Sequence, residues 1–239
     1  MMRTLEKTGT ATAPPNLFDV GRLEEAGLRV AQRRYEPAQT IFMAGDPAES
    51  LYLLVEGMVQ ICKYYGNYRR ATVALLKDGR GFGEFDLFGK DRQSASARAM
   101  TDCRVASVRK GDLRLAMERH PGLAVEMFHE FSEKFRYSEQ TMGMLLHRGV
   151  ATRLASLIPV LAERFGEHGR DGVALTIPLT HGEVAEMVAC TREAVSKALG
   201  ELRSEGFIEL GQRMITITDR AGLREHAARM GTSFPVHIE

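Results

Sequence analysis

Between Leu179 and Leu210 the chain reads LTHGEVAEMVACTREAVSKALGELRSEGFIEL. Four polar side chains in this stretch, Arg192, Glu193, Ser196 and Lys197, have the chemistry needed to read base edges. An arginine can donate two hydrogen bonds to guanine O6 and N7, and a carboxylate can accept from the cytosine amino group. Their spacing places them on one face of a helix, opposite the apolar Ala194, Val195, Ala198, Leu199 and Leu202. Thr191 is the expected N-cap of that helix. Thr180 is the expected N-cap of the helix before it, with Glu183 three residues on completing a capping box. Val184, Met187 and Val188 supply the buried face of the first helix, and Ala189 and Cys190 fill the turn. Two short helices joined this way present the second to the major groove, with Thr180, Thr191, Arg192, Glu193, Ser196 and Lys197 as candidate DNA contacts. An Arg-Glu pair at a helix start is equally at home as a solvated face, so this pattern alone leaves both readings open.

The flanking segments supply the frame. ATRLASLIPVLAERFG has the period of an amphipathic helix, VALTIPL reads as a short strand, and FIELGQRMITIT alternates like a hairpin around Gly211. With the two short helices they predict a winged helix-turn-helix over 149–239. Upstream, Pro121 suits the first turn of a long helix. From there Ala124, Phe128, Phe131, Phe135, Ser138, Met142 and Leu145 recur at alternating spacings of four and three. A seam with a 3.5-residue period faces another helix along its length, as in a two-stranded coiled coil. A single helix packed on its own domain would show a wider 3.6-residue stripe. Residues 120–148 are therefore expected to form a dimerisation helix, with Phe128, Phe131, Phe135, Met142 and Leu145 at a homodimer interface.

Earlier still, short runs of β-branched and aromatic residues punctuated by glycine, such as TIFMAGDPAESLYLLVEGMVQICKYYG, predict a roll of short antiparallel strands over 17–119. Residues 1–16, rich in Thr, Ala and Pro, are expected to be a flexible tail. The fold class that follows is α+β: an antiparallel β-roll, a long helix and a winged helix-turn-helix.

Composition narrows the function without naming it. The 239 residues are 44% apolar and carry a net charge of +1, so bulk charge does not announce a nucleic-acid binder. No apolar run spans a membrane and no secretory pattern opens the chain, so a cytoplasmic protein is expected. Cys62, Cys103 and Cys190 are odd in number and far apart, which argues against both a disulfide framework and a zinc knuckle. A β-roll can also house cupin-type metal catalysis, the competing enzyme reading. That chemistry needs histidines inside the roll, and all seven lie from His120 onward. A haem ligand set is absent for the same reason, and no cysteine cluster for iron–sulfur chemistry precedes Cys62.

CTREAVSKALGELRSEGFIEL resembles the recognition region of the CRP/FNR family of transcription regulators. Arg192 and Glu193 match that family's base-reading pair, and Lys197 stands where an arginine is usual. The resemblance implies palindromic DNA sites with TGTGA-like half-sites, one per subunit of a homodimer, and contact with RNA polymerase.

FMAGDPAESLYLLVEGMVQI and FGEFDLFG are similar to the family's cyclic-nucleotide-binding roll and the opening of its phosphate-binding cassette. Phe82, Gly83 and Glu84 match the cassette turn and its ribose carboxylate. Gln93, followed by Ser94, takes the place of the phosphate-neutralising arginine, and Arg92 lies one residue early. On the long helix, Ser138 and Glu139 replace the adenine-reading hydroxyl pair of cyclic-AMP responders. LLHRGVATRL, with Lys134 and Glu139, is similar instead to the nitrogen-control branch, which senses 2-oxoglutarate. That branch lacks a glutamate at position 84 and has arginine in place of Lys134. Three readings therefore stand: a cyclic-AMP effector, a 2-oxoglutarate effector, or DNA binding without a ligand.

Overall fold

The computed structural model describes residues 19–66, 69–89, 91–170, 172–211 and 214–230. The expected tail, 1–16, lies outside these. The chain divides into two compact units, one drawn from Met1–Ile61 and Ala74–Glu130, the other from Cys62–Val73 and Phe131–Glu239.

The first unit opens with α1 (Val20–Glu25), capped by Asp19, whose carboxylate accepts from the Arg22 amide at 3.1 Å. The strands and helices that follow are β1 (Ala31–Tyr35), β2 (Thr40–Phe42), β3 (Ser50–Glu56), β4 (Met58–Tyr65), β5 (Arg69–Lys77), β6 (Arg80–Phe82), α2 (Glu84–Leu87), β7 (Ser96–Ala99), β8 (Cys103–Arg109) and α3 (Lys110–Arg119). The strands form two four-stranded sheets, β1-β8-β3-β6 and β2-β7-β4-β5, with the 62–73 end of the β4–β5 hairpin belonging to the second unit.

The period of two explains why β3 is apolar almost throughout. Leu51 and Leu53 point to one face and join Leu23, Leu28, Leu87, Ala106, Val108, Leu113 and Ala116 beneath the helices. Leu54 points the other way, into the roll, where it meets Tyr35, Phe42, Val59, Phe82, Ala97 and Val105. A strand covered on both faces needs apolar residues on both, and each fully buried leucine contributes about 1.5–3 kcal/mol. Inside the roll, Phe42, Tyr52 and Phe82 pack with ring centroids 5.1, 6.0 and 5.4 Å apart. The β3–β4 turn requires glycine. Gly57 has φ +98°, and a Cβ there would lie 2.3 Å from the Asp102 carbonyl oxygen.

The long helix, α4 (Pro121–Leu145), starts at the expected proline. Ion pairs Arg22–Glu126 (3.2 Å) and Arg80–Glu130 (3.0 Å) hold its first turns. Further along it buries Tyr137 and Met144 and leaves a row of large apolar side chains in solvent.

The second unit continues with α5 (Val150–Phe165), β9 (Gly166–Gly169), β10 (Gly172–Leu175), α6 (His181–Met187), α7 (Arg192–Ser204), β11 (Ile208–Gly211), β12 (Met214–Ile217) and α8 (Arg220–Met230). Its sheet runs β11-β12-β10-β9, with antiparallel pairing between neighbours. Leu154, Ile158 and Leu161 of α5, Val195, Leu199 and Leu202 of α7, and Leu223 of α8 are at most 1% exposed and form the centre of its core. The 62–73 hairpin end is tied in by Arg70, whose Nε donates to Glu186 of α6 at 2.8 Å, and by the Thr72 hydroxyl at 3.3 Å.

Several elements lie beyond the sequence expectation, among them α1 and α3 inside the 17–119 segment, β9 and α8. Strand β9, GEHG, has no β-forming residue and exists because its backbone pairs with β10. Helix α8 follows Asp219, whose carboxylate accepts from the Gly222 amide at 2.9 Å, and it docks through the fully buried Leu223 rather than an apolar stripe.

Candidate nucleic-acid interface and roll pocket

The helix-turn-helix is built from its caps. Thr180 Oγ1 accepts from the Glu183 amide at 3.2 Å, while the Glu183 carboxylate accepts from both the amide and the hydroxyl of Thr180 at 2.8 Å. The predicted capping box is therefore present, and it commits the Thr180 hydroxyl proton to the protein. Thr191 caps α7 by accepting from the Ala194 amide at 3.3 Å. Between the helices, Ala189 takes the left-handed conformation, φ +51°, that the tight turn requires. Arg153, which the sequence reading did not single out, fixes the end of α6. Its guanidinium donates to the carbonyls of His147 (2.7 Å) and Val188 (2.9 Å).

These anchors leave the predicted polar face in solvent. Arg192, Glu193, Ser196 and Lys197 are all exposed, and Val195, Ala198, Leu199 and Leu202 are buried behind them. The Glu193 carboxyl is held below the usual carboxylate range, chiefly by its own backbone N–H, then by the Thr191 hydroxyl, with the Arg192 cation adding to both. It is thus an anionic acceptor at neutral pH. Lys197 reaches only loosely back to Glu201, at 3.9 Å. The Ser196 hydroxyl is occupied, donating to the Arg192 carbonyl at 3.0 Å and meeting His181 Nδ1 at 2.7 Å. A cleft of about 530 Å³ opens beside this face, lined by Thr180, His181, Arg192 and the wing residues Leu210, Gly211 and Met214.

The roll contains the second candidate site. Gly83 has φ +81°, and a Cβ there would lie 2.9 Å from Tyr52, so the cassette turn is sterically tied to glycine. Phe82, Glu84 and Gln93 are buried. Asp86 accepts from the Ser94 amide at 2.7 Å and so closes the loop. Gln93 is 4% exposed, and among the described residues its Nε2 has no hydrogen-bond partner. Arg92 turns outward, donating to the Gly45 carbonyl at 2.7 Å. A further cation, Arg98, donates to the fully buried Gln60 at 3.0 Å. Arg98 alternates with Ala97 and Ala99, which belong to the roll core, so it lies on the opposite face of the sheet. Around Glu84 and Gln93 the residues do not fit a cyclic nucleotide: where the resemblance would put the phosphate, Gln93 offers a neutral amide, without the charge-assisted bonds such a group needs. The other effector candidates lie on α4 in the second unit, with Lys134 half-buried and Ser138 and Glu139 exposed.

Two family profiles match the chain. Residues 32–120 match the cyclic nucleotide-binding domain and residues 152–226 the Crp-like helix-turn-helix domain. Over 194 residues the chain is 32% identical to the global nitrogen regulator of Synechococcus elongatus, covering 80% of this chain and 87% of that protein. The chain belongs to the CRP/FNR family of transcription regulators. Among other relatives, the CRP-like cAMP-activated global transcriptional regulator of Mycobacterium tuberculosis is 27% identical over 188 residues, covering 79% of this chain and 84% of that one. The structure of FixK2 from Bradyrhizobium japonicum has the same fold, with a TM-score of 0.73 at 24% identity, over 87% of this chain and all of that one.

CRP/FNR proteins are DNA-binding regulators rather than catalysts, which sets the cupin-like enzyme reading aside. The helix-turn-helix domain implies that this chain binds DNA. Among the described residues no helix is long and apolar enough to cross a membrane.

Proposed function

We propose that this CRP/FNR protein is a cytoplasmic homodimer that binds palindromic DNA with TGTGA-like half-sites and does so without cyclic AMP. The observation that carries the reading is the first turn of α7. There Arg192 and an ionised Glu193 stand exposed side by side on a helix whose opposite face is buried at Val195, Ala198, Leu199 and Leu202. A guanidinium and a carboxylate so placed suit guanine and cytosine on adjacent pairs. Lys197 adds a point charge one turn on. Thr180 and Thr191 serve first as caps and reach phosphates through what their cap bonds leave over.

Dimerisation is supported by α4, on which Phe128, Phe135 and Met142 are 72%, 57% and 66% exposed and Phe131 is 39% exposed. Apolar side chains of this size, aligned on one helix, favour burial against a symmetry mate. Leu145 is half-buried, and Leu146, 69% exposed, extends the row instead. Contact with RNA polymerase is part of the proposal, supported by membership of a family of transcription regulators.

Independence from cyclic AMP is supported by Gln93 and the outward Arg92. A second reading, in which 2-oxoglutarate acts through Lys134 and Glu139, is favoured by the 32% identity to a global nitrogen regulator. Selection of bound duplexes from genomic fragments with nucleotide-free protein tests the proposal. A two-fold symmetric motif is expected, and enrichment of no motif would overturn it. Calorimetric titration with cyclic AMP and 2-oxoglutarate separates the two readings.

A further inference from the structure

The contacts of the Ser196 hydroxyl determine where a nearby proton sits. Its Oγ lies 3.0 Å from the Arg192 carbonyl oxygen and 2.7 Å from His181 Nδ1. A hydroxyl carries one proton and a carbonyl none. Both contacts are hydrogen bonds only when Ser196 donates to Arg192 and His181 donates to Ser196. The uncharged imidazole is then the Nδ1–H tautomer, and its Nε2 presents a lone pair. His181 is exposed, and it lines the cleft beside Arg192 and the wing.

In a helix-turn-helix the first helix crosses the sugar–phosphate backbone. Against a phosphate oxygen a lone pair at Nε2 is repulsive, whereas Nε2–H of the imidazolium gives a charge-assisted hydrogen bond. Imidazoles change charge between about pH 5 and pH 8, and a duplex brings a concentrated negative potential to the cleft. We infer that His181 is a phosphate contact made only in its protonated form, so that this protein takes up a proton at each half-site when it binds DNA. The inference rests on the α6–α7 face being the DNA-binding face.

Among the described residues the charged neighbours are few. On α6, the Glu183 carboxylate is engaged by Thr180. On α7, Arg192 lines the cleft, with Glu193 and Lys197 on the same exposed face. The described wing residues that line the cleft, Leu210, Gly211, Met214 and Ile215, carry no charge.

The test is fluorescence anisotropy of the full-length chain on one selected duplex at constant ionic strength, from about pH 6 to about pH 8.5. The wild-type protein should tighten by about tenfold per half-site as pH falls from 8 to 6. His181→Gln, which holds no titrating proton, should lose that slope. A flat wild-type profile overturns the inference. So does a His181→Gln protein that keeps the slope, which would place the proton on another histidine such as His168 or His226. Ring ¹⁵N shifts of the free protein give a second readout: Nδ1–H is expected at His181, and an Nε2–H tautomer contradicts the hydrogen-bond chain. A wild-type protein that binds no duplex at any pH overturns the DNA-binding face itself, an outcome distinct from a flat slope.

Discussion

The helix-turn-helix keeps its family pattern, whereas the roll cassette departs from it. In the α6–α7 segment the caps, the apolar face and the polar face agree, and Arg192 and Glu193, the proposed base readers, stand in solvent. In the segment from Phe82 to Ser94 the backbone device is kept, with Gly83 left-handed and Asp86 closing the loop, yet a buried glutamine stands where the resemblance would put a phosphate-neutralising arginine. A turn serves the fold whether or not a ligand binds, whereas an arginine in a pocket serves only the ligand. Retention of the first without the second is what a roll kept for its architecture would look like.

The largest expected effect comes from removing the proposed α4 pairing, which would make α7 a two-fold reader. Phe135→Asp should place unpaired charge in the α4 seam and cost about 3–5 kcal/mol of dimer stability. Sedimentation should then show a monomer with weak operator binding, and a dimeric variant with full DNA affinity would break the account of α4. Gln93→Arg sharpens the contrast from the other side. Supplying the missing guanidinium should raise cyclic-AMP affinity by about one to three decades, or about 2–4 kcal/mol, in a calorimetric titration. No gain would mean that more than one charge separates this roll from a nucleotide site. Arg192→Ala and Glu193→Ala should each cost about 1–3 kcal/mol on the best site and relax selectivity at one base pair per half-site. Equal weakening on specific and random DNA would remove them from base reading.

Much of this was legible in the sequence, for unequal reasons. The capping box at Thr180, the Thr191 cap and the start of α4 at Pro121 are local, so residue type and spacing suffice to place them. The apolar texture of β3 is a pattern too, and the two clusters its residues join explain it. Strand β9 was not legible, because a GEHG segment owes its conformation to a partner strand rather than to its own residues. Arg153 was hidden for a related reason. Its role depends on two carbonyls, one of them 35 positions away in sequence. In the cassette, the pattern showed Gln93 in place of the arginine, with Arg92 one residue early. The structure turns Arg92 toward the Gly45 carbonyl, a backbone contact that no pattern announces.

The most direct test of ligand-independent DNA binding is the affinity of purified, nucleotide-free protein for its selected site, measured with and without added cyclic AMP. The account predicts tight, specific binding that cyclic AMP leaves unchanged. A large cyclic-AMP-dependent gain, abolished by Arg92→Ala, would contradict it and show that Arg92 swings inward to take the phosphate.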